Sequence, residues 1–197
     1  MTTQKKGFTL VELSIVLVII GLLIGGVLKG QSMIENAKVK RVMSDVDSLV
    51  SATYSYQDKF NALPGDDAST VAANGVANGA AACAGIGDGN GLIATPAERL
   101  CAYQDLIDEG FLTGNAAGTT EVAVARTTPF GSSFVFRSGA INGANQNFIG
   151  MIAAAVPADV AQSIDSKFDD GIWNTGDITS GTIYTNTATK ALSFVRF

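Results

Sequence analysis

One carboxylate stands alone in a long apolar run. From Phe8 to Leu28 every residue is apolar, glycine, serine or threonine except Glu12. At ~1.5 Å per residue such a run spans roughly 30 Å as a helix, the thickness of a bilayer core. A carboxylate there costs roughly 2.5–3.5 kcal/mol at the bilayer centre and less near its edge. An acid kept at that cost is a functional candidate, and it needs a partner. Lys5 and Lys6 precede the run. The positive-inside rule therefore puts Met1 in the cytoplasm and carries the following chain across the membrane.

Three readings of the segment compete. A cleaved secretory signal has a shorter apolar core, about 7–15 residues, closed by a small-residue cleavage site. This run is longer and no such site closes it. A plain anchor gives Glu12 no purpose beyond snorkelling to the membrane surface. The third reading rests on the order Lys5-Lys6-Gly7-Phe8-Thr9-Leu10-Val11-Glu12-Leu13 ahead of Ser14 to Leu23. It resembles the class III signal of type IV pilins and type II secretion pseudopilins. The resemblance implies that a prepilin peptidase cuts between Gly7 and Phe8 and N-methylates Phe8. It also implies that Glu12 pairs with the Phe8 amine of a neighbouring subunit, two costly charges neutralising each other in a low-dielectric core. Many pilins carry a proline late in the run; here Gly21, Gly25, Gly26 and Gly30 stand instead, each weakening a helix by ~1 kcal/mol relative to alanine.

The other chemistry-bearing residues are few. The chain has no histidine and two cysteines. Ser-His and Cys-His nucleophile pairs and His-ligated zinc are thereby excluded, and two thiolates do not close a zinc cage. An even cysteine count outside the cytosol reads as one disulfide, Cys83 to Cys101, against the alternative of two buried thiols. Three loops group oxygen ligands: Asp66-Asp67, Asp88-x-Asn90, and Asp169-Asp170 with Asn174 and Asp177. A structural calcium ion, with Asp169, Asp170 and Asp177 as ligands, is one reading, since Ca2+ takes six to eight oxygens. Turn formation through Asx side-chain hydrogen bonds is the other. Asp165 and Asp169 share a helical face, but without histidine or a cleft signal they make a poor hydrolase. Gly85 to Gly91 lacks the Lys-Ser/Thr ending of a phosphate loop. Trp173 is a core-covering residue or an exposed binding residue.

Several elements must position these residues. Val39, Val42, Met43, Val46, Leu49, Val50, Thr53 and Phe60 recur at three- and four-residue steps, which predicts one amphipathic face. A helix from about Phe8 to Phe60 would be roughly 80 Å long. Leu63-Pro64-Gly65-Asp66 ends it, and an Ala/Gly/Asn/Asp-rich stretch to Pro96 reads as a surface loop. Thr95, Pro96 and Glu98 predict the N-cap, first and third positions of a second helix, with Leu100, Tyr103, Leu106 and Ile107 inward and Gly110 closing it. Strands are expected at Val122–Arg126, Ser132–Arg137 and Phe148–Ala154, and a short helix at Pro157–Phe168. Thr182–Thr185 and Leu192–Phe197 should form a hairpin.

The pilin-like family resemblance extends into this region. Tyr56-x-x-Lys59-Phe60-x-Ala62-Leu63-Pro64-Gly65-Asp66, Gly87-Asp88-Gly89-Asn90-Gly91, Glu98 to Phe111, and Ile164-Asp165-x-Lys167-x-Asp169-Asp170-Gly171 are similar to one branch of it. It implies an α+β pilin-like fold: one long N-terminal helix, transmembrane in its first half, packed on a small antiparallel-sheet head with extra short helices. The expected parts are a cleaved leader at 1–7, a membrane and filament-core helix at 8–28, an amphipathic helix at 29–63 and a periplasmic or extracellular head at 64–197. Expected partners are other copies, other pilins or pseudopilins, prepilin peptidase, an inner-membrane assembly platform and lipid. No cofactor beyond the calcium is expected, and no enzymatic activity. With net charge -5 and pI about 4.6, nucleic acid is not an expected partner either. The cysteines do not bracket the C-terminal segment as in many major pilins, which favours a minor or pseudopilin-type subunit. A tip subunit acting as a binding module is the alternative.

Overall fold

A computed structural model describes residues 7–67, 83, 86–115, 117–141, 143–152, 156–184 and 189–197. The leader before Gly7, most of the Ala/Gly loop, and the predicted strand residues Ala153, Ala154 and Thr185 lie outside the described residues. The first helix, α1, runs unbroken over Leu10–Phe60, straight through the four glycines. The chain divides into two compact units, Met1–Lys38 and Val39–Phe197.

In the first unit α1 has no core of its own to cover. Its most apolar stretch has a mean hydropathy of 2.7, and none of that stretch is buried within the chain. It is the one helix among the described residues long and apolar enough to cross a membrane.

The second unit is built around an apolar stripe of α1. Val39, Val42, Met43, Val46, Leu49 and Tyr56 are buried in one cluster with the inner face of a sheet. The predicted periodicity matches the burial except at Val50 and Phe60, which are half-buried against the core. After α1, the Leu63-Pro64-Gly65-Asp66 turn is buried rather than exposed. The Gly65 N–H donates to Asp105 Oδ2 at 2.7 Å. A Cβ on Gly65 would collide with the Glu98 carbonyl, and its φ of +81° suits glycine alone.

Helix α2 (Pro96–Asp108) has the predicted capping box, with Glu98 N–H donating to the Thr95 hydroxyl and the Glu98 carboxylate accepting from the Thr95 N–H. Tyr103 and Leu106 are buried, with Leu100 and Ile107 packed against the core. The Tyr103 hydroxyl donates to the Phe134 carbonyl at 2.9 Å, which pins α2 to the sheet.

The predicted strand at Val122–Arg126 is instead a single helical turn, α3 (Glu121–Val124), capped by Thr120. The local cap outweighs the β preference of the two valines. Strands β1 (Phe134–Ile141) and β2 (Ala144–Met151) pair antiparallel, with Phe134 opposite Met151 and Ile141 opposite Ala144. Helix α4 (Ala158–Phe168) follows. The C-terminal hairpin is displaced from its predicted place: β4 (Leu192–Phe194) pairs with β3 at Ile178–Ser180, not with residues after Thr182. The four-stranded antiparallel sheet has the order β1-β2-β4-β3. Phe134, Phe136, Ile149, Ile178, Leu192 and Phe194 line its core face, all fully buried.

Cys83 and Cys101 are joined as a disulfide with Cα atoms 5.4 Å apart. It fastens the chain ahead of Ile86 to the first turns of α2. Cys83→Ala should lower stability by about 3 kcal/mol, the scale for a loop of this size, seen as an earlier chemical-denaturation midpoint. Thr95→Ala, which removes the cap of α2, should cost ~1 kcal/mol in the same assay.

Candidate functional site

The N-terminal site is built by the start of α1. Thr9 occupies the N-cap position and Glu12 the third helical position. The Glu12 Oε2 accepts from the Thr9 N–H at 2.8 Å and from the Thr9 hydroxyl at 2.9 Å. The Glu12 N–H donates back to the Thr9 hydroxyl at 3.3 Å. This is a reciprocal capping box. Thr9 was missed as a site residue in the sequence reading, although Thr-x-x-Glu before an apolar run is its signature. The carboxylate is thus oriented along the helix start, where the unpaired N–H groups and the helix dipole favour negative charge. Phe8 is 83% exposed beside it. Nothing lies within 4 Å of a Cβ placed on Gly7. Gly7, Phe8 and Glu12 are therefore all accessible at one end of the helix.

In the second unit the acidic loops act on the backbone. Asp66 accepts from the Gly89 N–H at 3.0 Å through Oδ1 and from the Gly91 N–H at 2.6 Å through Oδ2. Asp66, Asp88 and Glu98 draw carboxylate oxygens within 4.8 Å of one another. Burial raises the Asp66 pKa, against the lowering effect of the two glycine N–H groups.

A second group gathers Asp165, Asp169 and Asp170 within the same distance. Asp165 is fully buried; its Oδ1 accepts from the Gly171 N–H at 3.1 Å and its Oδ2 from the Tyr184 hydroxyl at 2.8 Å. Asp169 Oδ2 accepts from the Ile178 N–H at 2.7 Å. Asp170 accepts from the Ile172 N–H and the Thr175 hydroxyl, which hold its pKa low, the hydroxyl most. Of the three predicted ligands, Asp169 and Asp170 come together, with Asp165 beside them. Asp177 stands outside the cluster, and its backbone carbonyl accepts the Val195 N–H. Trp173 is partly buried and packs against the core.

Comparison with known families identifies the N-terminal segment. Residues 2–28 match the family model described as the prokaryotic N-terminal methylation motif. This is the prepilin-type cleavage and methylation signal of type IV pilins and pseudopilins, and the chain carries it ahead of an α+β pilin-like fold. No curated protein and no solved structure matches the chain. The motif supports a pilin-like precursor and points to a structural protein; a signal of this kind implies, in general, association with other pilins and with prepilin peptidase. Together with the apolar helix it points to membrane anchoring.

Burial raises the Asp165 pKa from its ordinary value, the Tyr184 and Gly171 hydrogen bonds opposing it. A raised folded pKa gives stability that is fully present below the unfolded pKa and lost as pH rises through the folded one. Asp165→Asn should therefore gain stability relative to wild type as pH rises across that window. Thermal melts of the full chain in detergent with a chelator, from acid to neutral pH, would show this; a constant difference would contradict it.

Proposed function

We propose that this protein is a structural subunit of a type IV pilus-like or type II secretion pseudopilus filament, processed by prepilin peptidase and polymerised from the inner membrane. The observation carrying this reading is Glu12. It is the single ionisable residue of the apolar run, it lies within the match to the methylation motif, and its carboxylate is already oriented at the helix start. Cutting between Gly7 and Phe8 creates an ammonium one helical turn from Glu12. In a neighbouring subunit that ammonium is the partner which offsets the cost of a carboxylate in lipid. An inner-membrane platform supplied in trans would raise each subunit into the filament, while the N-terminus stays on the cytoplasmic side until processing.

A minor or pseudopilin-type subunit is favoured over an abundant one by the disulfide. It ties the chain before Ile86 to α2 and leaves the C-terminal strands unbridged. A structural calcium ion is a further part of the proposal. Asp165, Asp169 and Asp170 offer a donor set of hard oxygens alone, the kind Ca2+ takes, and a carboxylate oxygen that accepts one hydrogen bond retains a second lone pair. The ion would brace the connection from α4 to β3.

Mass measurement of the native N-terminus should find methylated Phe8 as the first residue, and replacing Gly7 should leave the leader in place. Glu12→Leu should insert normally yet lower filament yield roughly tenfold or more, the effect of losing ~1.4 kcal/mol per association step. Wild-type yield from that variant would refute the pairing. Millimolar calcium should raise the melting temperature, and Asp170→Ala should abolish the rise; no rise in the wild-type chain would remove the ion from the proposal.

A further inference from the structure

Charge is distributed unevenly along the chain. Residues 29–41 carry four Lys or Arg against one Glu, a net +3, while residues 42–197 carry seven against sixteen Asp or Glu, a net -9. Heads of that charge repel one another when set side by side. An acidic surface set against a basic one relieves that repulsion.

Exposed apolar side chains locate the surface. In the unit from Val39 onward, the described large apolar residues left exposed are Tyr54, Val122, Phe168, Ile172 and Ile183. Three of these five flank the connection from α4 to β3. Phe168 ends α4, Ile172 lies in the loop, and Ile183 adjoins Tyr184, whose hydroxyl binds Asp165. The loop is closed on itself: Asp170 holds Ile172 and Thr175, and Asp169 holds Ile178 at the start of β3. Its shape is therefore set before any partner arrives, which lowers the entropy lost on docking. Asp177, outside the Asp165–Asp169–Asp170 cluster, is exposed on the same loop.

Within this chain a complementary segment exists on α1. Lys40 and the Arg41 side chain are exposed, the latter 68%. We infer that the acidic, apolar-edged loop at 168–177 docks on the basic stretch of α1 in a second copy of this chain, a contact that rests on the filament reading above. Apolar side chains supply the contact area and opposite charges set the register.

A charge swap in the full-length chain, made with its assembly apparatus, tests this. Asp177→Lys alone and Lys40→Glu alone should each cut filament yield about threefold, the scale of exposed ion pairs, with membrane-inserted subunit and melting temperature unchanged. Combining them should restore most of the yield. Ile172→Ser should also lower yield, without rescue by the charge changes. Full yield from each reversal, or a combination no better than its parts, overturns the inference; the second result would assign the basic stretch to another surface, such as anionic lipid. Absence of filaments from the wild-type chain would instead refute the filament reading, so the two failures are distinct.

Discussion

Apolar side chains on one helix meet two different fates here, and the rest of the structure follows from that division. From Val39 on, α1 buries a stripe of valine, methionine, leucine and tyrosine in a core shared with the sheet and α2. Before Lys38 the same helix has nothing of its own chain to cover. Large aliphatic side chains left bare over that length are expensive in water, on the order of 1.5–3 kcal/mol each. Lipid or neighbouring helices must cover them. Once they are covered that way, Glu12 becomes the costly residue, and its capping contacts with Thr9 are the local answer to that cost.

The acids of the second unit do a different job. Asp66, Glu98, Asp105, Asp165, Asp169 and Asp170 accept from backbone N–H groups or hydroxyls at turns and helix starts. The connections are rich in glycine and asparagine and have little apolar mass with which to hold themselves. Carboxylates replace packing as their fasteners, and the disulfide does the same for the chain before Ile86.

Much of this was legible from the residues. The run from Phe8 to Leu28 with its lone acid is a compositional signal, and the amphipathic stripe is a periodic one. Thr95-Pro96-Ala97-Glu98 is a local capping signature that needs no tertiary knowledge. The misreadings came where local preferences conflict or where long-range pairing decides. Val122 and Val124 look like strand, but Thr120 caps them into a helical turn. The strand partner of β4 lies at Ile178–Ser180 because Asp169 fixes the Ile178 N–H and the Trp173 carbonyl accepts from Ser180, links that only the folded loop makes. Thr9-x-x-Glu12 is a cap signature that was readable and passed over. The Asp165 contribution was hidden because Tyr184 reaches it from 19 residues away.

The strand order has a bearing on how the head is made. β4 is later in sequence than β2 and β3, yet it sits between them. A chain emerging from its N-terminal end can pair β1 with β2, but β3 then has no neighbour in the sheet. Closure of the sheet must wait for the arrival of Leu192–Phe194, so the segment that comes last among the strands is the one that commits the domain to its native form.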